Sequence, residues 1–250
     1  MTTGSERFRN GADGALAIAR WQAWTPDARE DGDWAAWFEG RRNAQEAAQP
    51  DVSFLPAMLR RRLERSGRMS LAVAAGALGK DEKMATIFAS RHGPFHRTME
   101  LLAALARDEP ISPTLFSLGV HNSVAGLFSI ARADRSTHTS VAAGAATLAA
   151  AFWEAAGQLA GGAPAVLIVY VSEPPPAMYQ PYIGAEEPLL AFAAVLEPAR
   201  ADVPAWRLRR EDGIAMGEDP ALALLRSLCH GSDRAVLAPG WLLARASAHA

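Results

Sequence analysis

The sequence predicts an α/β fold: a mostly parallel five-stranded sheet with helices on both faces. Three observations carry this. Strand-like and helix-like segments alternate along the chain before two strand-like segments, 189–196 and 206–210, come together. Ala165–Val171 is an uninterrupted apolar run, the mark of a strand buried on both faces. Half of the 250 residues are apolar, enough for one sizeable core.

Taken in order, Ala15–Trp24 reads as a strand closed by Pro26. Residues 27–52 are charged and polar, with Trp34, Trp37 and Phe38 forming a short amphipathic turn or helix. Ser53 is placed to cap a helix that carries Pro56 in its first turn, where a missing N–H costs little. Leu55, Leu59 and Leu63 make one apolar line on it, and Arg61, Arg65 and Arg68 lie on another face. Ser66-Gly67 is a kink point before Met69–Leu78 continues. Met84–Ser90 reads as a strand and Phe95–Arg107 as a helix. A turn at Ser112-Pro113 leads into an extended piece, and His121-Asn122 opens a small-residue helix that runs to about residue 131. Thr137–Ala143 is a strand, Ala145–Ala160 a helix and 165–172 a strand stopped by Pro174-Pro175-Pro176. Strands at 189–197 and 206–210 follow, then a short helix Pro220–His230, a last apolar segment around Gly240-Trp241, and a fraying end at Ala246–Ala250. The five core strands are therefore expected at 15–24, 84–90, 137–143, 165–172 and 189–197, with helices 55–78 and 145–160 packed on them. One domain is expected over 1–250, its core at about 12–200 and a C-terminal extension at 201–250.

The net charge of −2 and a pI near 6.3 give no basic field for nucleic acid. The single cysteine, Cys229, cannot form a disulfide within the chain and fits a reducing, cytoplasmic setting. The first ten residues hold no apolar stretch of a signal peptide. The most apolar region, 141–171, is cut by Glu154 and Gly161-Gly162-Ala163-Pro164, so it reads as helix then strand rather than a membrane span.

The stretch 112–131, Ser-Pro-Thr-Leu-Phe-Ser-Leu-Gly-Val-His-Asn-Ser-Val-Ala-Gly-Leu-Phe-Ser-Ile-Ala, resembles the segment of β-ketoacyl synthases that precedes the strand leading to the nucleophilic cysteine. Arg60–Leu78 resembles that family's basic helix before the second strand. Val141–Gly162 resembles the nucleophile strand, turn and helix, and Val166–Pro174 the next strand and its exit loop. With Phe88–Gly93, these blocks over residues 15–245 resemble the short β-ketoacyl synthase-like N-terminal domain family. The resemblance implies a thiolase-like half, and a place among chain-length-factor-like proteins of type II polyketide or aryl-polyene pigment gene sets.

The same resemblance implies a loss. Counting back from Gly162, the nucleophile position falls at Ala145, and the half that carries the catalytic histidines is missing from this length. Decarboxylative condensation needs a thiolate to hold the acyl chain and histidines to stabilise the enolate. No catalytic residue is therefore assigned. His121 and Asn122 stand nearby, either to polarise a thioester or, as the family position implies, with Asn122 bonding backbone beneath the turn and capping the following helix.

Other residues have blander readings. His92 and His96 are spaced for a metal on a helix, but Gly93-Pro94 intervenes and no third ligand is apparent, so no metal or cofactor is expected. Cys229 sits among Leu224, Leu225 and Leu228 as a buried small hydrophobe. Ser140, Thr147 and Ser172 lack a Gly-x-Ser-x-Gly elbow. Arg61, Arg65 and Arg68 are a solvated helix face or, as the resemblance implies, a docking patch for an acidic carrier protein.

The function expected is that of an inactive accessory or chain-length-factor-like protein in bacterial fatty-acid or polyketide-type pigment biosynthesis. Its partners would be a ketosynthase subunit, an acyl carrier protein or both, in a homodimer or heterodimer. Two alternatives stay open: a weak acyltransferase or thioesterase acting on acyl-thioesters, and a stand-alone carrier-protein binding module.

Overall fold

The computed structural model describes residues 15–28, 34–41, 49–183, 187–200 and 203–246. The expectations for the N-terminal residues 1–10 and for the fraying at 247–250 lie outside these. Eight strands form one sheet in the order β3-β2-β4-β5-β1-β6-β8-β7. They are β1 (Ala15–Trp24), β2 (Ala85–Ser90), β3 (His138–Val141), β4 (Val166–Ser172), β5 (Leu190–Pro198), β6 (Ala205–Arg210), β7 (Arg234–Ala238) and β8 (Trp241–Arg245).

All five expected core strands are present and contiguous. β2 pairs parallel with β3 and β4, while β5 runs antiparallel to both β4 and β1. Four of these five strands thus point the same way. The expectation of a mostly parallel, five-stranded sheet is corrected: only β2 makes parallel pairings, with β3 and β4, the other five pairings are antiparallel, and β6, β8 and β7 add three strands beyond β1. Residues 205–245 continue the sheet itself.

The central strand β4 is buried along its whole length. Val166, Ile168 and Tyr170 point to one face and Leu167, Val169 and Val171 to the other, following the two-residue strand period. Helices α7 (Thr147–Ala160) and α8 (Pro220–His230) cover the first face with Leu148, Phe152, Leu224 and Leu225. Helices α3 (Arg65–Ala77) and α6 (Ser123–Arg132) cover the second with Met69, Leu71, Val73 and Phe128. A short helix α1 (Trp34–Phe38) buries Trp34 and stacks with its own Trp37 and Phe38 near α8.

Two helix expectations change. The single helix over 55–78 is instead α2 (Ala57–Arg60) and α3, with a turn between them. The Arg68 side chain donates to Leu63 O and Arg60 O and so fixes that turn. Pro56 occupies the cap position of α2, and Ser53 donates its N–H to Asp51 Oδ1 at 2.8 Å. The extended piece after Ser112-Pro113 is a helix, α5 (Pro113–Leu118), which follows α4 (Phe95–Ala106). Ser112 caps it by accepting from Leu115 N, and Pro113 takes the first helical position, where proline fits best.

Candidate functional site

β3 ends at Val141, and a short 3-10 turn, Gly144–Ala146, carries the chain into α7. Gly144 adopts a left-handed conformation, φ +57°, which only glycine takes without strain. Thr147 clamps the turn: its Oγ1 donates to Gly144 O at 2.7 Å and accepts from Ala143 N at 3.0 Å. Ala145 stands exposed on this turn, at the wall of a cavity of about 370 Å³.

Four segments build the remaining wall: Arg91 after β2, Tyr170–Ser172 at the end of β4, Glu187 before β5, and Met216–Pro220 leading into α8. Asp219 caps α8, its Oδ1 accepting from Ala221 N at 2.8 Å. Its Oδ2 accepts from Tyr170 Oη at 3.1 Å, and the Ser172 hydroxyl bonds the same pair. Burial raises the Asp219 carboxyl to about 6, against the lowering effect of those hydrogen bonds. Burial and the neighbouring Asp219 push the Tyr170 phenol well above its usual range, so it stays a donor. Glu187 is nearly enclosed and accepts from Arg91 at 2.8 Å, with His92 Nε2 at 3.0 Å from the same oxygen.

His121 and Asn122 do not line this cavity. His121 Nε2 lies 3.0 Å or less from Ser90 O, at 2.9 Å, and its ring packs against Gly93. A Cβ on Gly93 would come within 2.8 Å of that ring, and φ is +61°, so this position requires glycine twice over. Asn122 occupies the cap position of α6 but is exposed and makes no side-chain cap hydrogen bond, so the expected cap is corrected. Its φ of −90° and ψ of 7° are not the extended geometry from which an Asn side chain reaches N2 or N3.

His92 and His96 hold different partners, Glu187 and the Pro174 carbonyl at 3.0 Å. Among the described residues no group of three His, Cys, Asp or Glu is placed for a metal ion. Cys229 is half-buried on α8, off the cavity wall, and burial pushes its thiol up. Ser140 Oγ is buried without a hydrogen-bond partner on β3. Among the described residues no histidine or cysteine lines the cavity.

Of the three arginines, Arg61 and Arg65 are exposed, whereas Arg68 is half-buried and committed to the turn carbonyls. Arg97 from α4 supports the same turn. It is buried at 8% exposure, donates to Arg62 O at 3.3 Å and lies 3.6 Å from Glu64.

The sequence reading missed Arg91, Tyr170, Glu187 and Asp219. Two signals were available: Tyr170 is the one polar ring in an apolar strand, and Asp219-Pro220 is a helix-start signature.

A mixed open sheet covered by helices, with a strand–turn–helix opening onto a cavity, is the layout of half a thiolase-like ketosynthase. The family description "Beta-ketoacyl synthase, N-terminal domain" matches residues 34–227, and the chain belongs to that family. Among solved structures, it is similar to one chain of a ketosynthase (ApeO) in complex with its chain length factor (ApeC) from Xenorhabdus doucetiae. The identity is 26% and the TM-score 0.80, over 92% of this chain and 99% of that one. The ishigamide ketosynthase/chain length factor matches at 17% identity and TM-score 0.63, over 88% of this chain and 72% of that one. A β-ketoacyl synthase from Burkholderia phymatum matches at 10% identity and TM-score 0.61, over 87% and 71%. These last two show a shared fold. No curated protein matches significantly.

Proposed function

We propose that this chain is a chain-length-factor-like accessory subunit that pairs with a ketosynthase and does not itself condense acyl units. The setting is fatty-acid or polyketide-type pigment biosynthesis, of the aryl-polyene kind, in the bacterial cytoplasm. The observation that carries the reading is the match, over nearly the full length of both chains, to one chain of a ketosynthase–chain length factor complex. The chemistry at Ala145 supports it. A methyl group stands on the turn where condensation needs a thiolate, and the adjoining wall offers no histidine among the described residues.

The edge of the sheet supports pairing. β3 is a terminal strand with one neighbour, and unpaired backbone groups on such an edge invite addition of another chain. Helix α6 packs against β3, and Ile130 on α6, Leu115 and Phe116 on α5 and Val120 between the two helices are all exposed. We place the interface on β3 and the 112–131 segment.

The test of inactivity is intact-mass analysis after incubation with acyl and malonyl thioesters. No mass gain is expected. An acyl adduct on Cys229 or on any serine would contradict the reading.

Carrier-protein docking at the arginine turn belongs to the same proposal, with Arg61 and Arg65 supplying free charge and Arg68 ordering the turn. Exposed ion pairs contribute roughly 0.2–1 kcal/mol each, so charge reversal of Arg61 and Arg65 should weaken carrier binding about tenfold at low salt. Arg68→Glu should act chiefly on stability. Unchanged binding in a folded Arg61→Glu/Arg65→Glu variant would return these residues to a solvated surface.

A further inference from the structure

The cavity beside Ala145 carries charge that the proposed pairing does not explain. Three carboxylates reach its wall, and two of them are already compensated. Glu187 is paired with Arg91, and Glu218 is bonded by Arg226 through Nε at 3.1 Å and a terminal nitrogen at 2.9 Å. Asp219 differs. Its partners are the Ala221 and Leu222 backbone N–H groups, the Tyr170 hydroxyl and the Ser172 hydroxyl, and among the described residues no cation forms an ion pair with it. A carboxylate removed from water without a counter-charge is costly, and a cation brought to it recovers part of that cost. Space for one exists, since the cavity is about 370 Å³ and its apolar wall, Val171, Met216 and Pro220, would cover a short aliphatic stem.

We propose that this cavity is a binding site for a cationic group, a guanidinium or ammonium on a short apolar stem, with Asp219 as its counter-charge. The cation has two possible sources, a small molecule or a basic side chain of the ketosynthase, and both present the same chemistry to Asp219. The site needs no pairing to exist, so it is tested first on the isolated chain.

The probe is n-propylguanidinium, titrated at neutral pH and followed by protein NMR. Two variants keep the fold while removing one feature each. Asp219→Asn preserves a good helix cap but removes the charge. Ala145→Phe fills the cavity from an exposed turn position. Saturable binding by the wild type, at least tenfold weaker in both variants, is expected. Absence of saturable binding, equal binding by Asp219→Asn, or tighter binding of propionate than of propylguanidinium would overturn the site. The same titration on the ketosynthase complex assigns the source. Loss of probe binding there, with Asp219→Asn weakening the complex tenfold or more, identifies a partner side chain. Undiminished probe binding and unchanged association identify a small molecule.

Discussion

The Asp219 carboxyl caps α8 and accepts from Tyr170, yet burial holds it at about 6, above its ordinary value of 3.8. The folded chain therefore keeps a proton there that the unfolded chain has already released. Stability from this group is fully present below about pH 4 and is lost as pH rises through 6, a change of roughly 3 kcal/mol. Urea unfolding of wild type and Asp219→Asn at pH 4, 5, 6 and 7 isolates it, because other carboxyls contribute equally to both. The wild type should lose stability relative to the variant across that window; parallel curves would contradict the assignment. At this scale the sequence was half legible. That Ala145 falls on the turn between β3 and α7 could be counted back from Gly162, because strand–turn–helix spacing is local. The meeting of Tyr170 with Asp219, 49 residues apart, is a product of topology, and no local pattern announces it. The partner of His121, Ser90 O at the end of β2, lies 31 residues away and could not be read from the sequence.

Among the elements, the continuous apolar run of β4 betrayed its place between β2 and β5, since both of its faces are covered. Strands β7 and β8 were harder. The last apolar segment around Gly240-Trp241 was legible, but its folding back on itself as Arg234–Ala238 and Trp241–Arg245 rests on a turn with Gly240 at φ +74° and on pairing with the distant β6. The α2–α3 break was hidden for another reason: the Arg68 bonds that fix it reach back five and eight residues, beyond any helical repeat. Helix α5 buries none of its residues, and Phe116 is 62% exposed. A helix so poorly covered owes little stability to its outward side chains, so Leu115→Asp and Phe116→Asp should shift stability by no more than about 0.5 kcal/mol. The same changes should weaken association with a ketosynthase at least tenfold, read by analytical ultracentrifugation. Association unchanged in both variants would remove α5 from the interface.

As a whole molecule, the chain is a helix-covered sheet with β3 at one end, exposed apolar side chains on α5 and α6, and a cavity at the turn that β3 leads into. On the proposed function, this exposed apolar surface faces the partner. Fold class and family were legible because the strand–helix order and the blocks at 60–78, 112–131 and 141–174 survive together. The added edge β6-β8-β7 was not, since nothing in those blocks requires it. Among the described residues no helix is long and apolar enough to cross a membrane. On the proposed function, this chain works by pairing with a catalytic ketosynthase. Its most direct test is light scattering on the purified chain mixed with a candidate ketosynthase from the same organism, at micromolar concentration. The account predicts a stable one-to-one complex, lost when Val141 on β3 is replaced by aspartate. A chain that elutes unchanged at its own mass, with no complex at any mixing ratio, would contradict it.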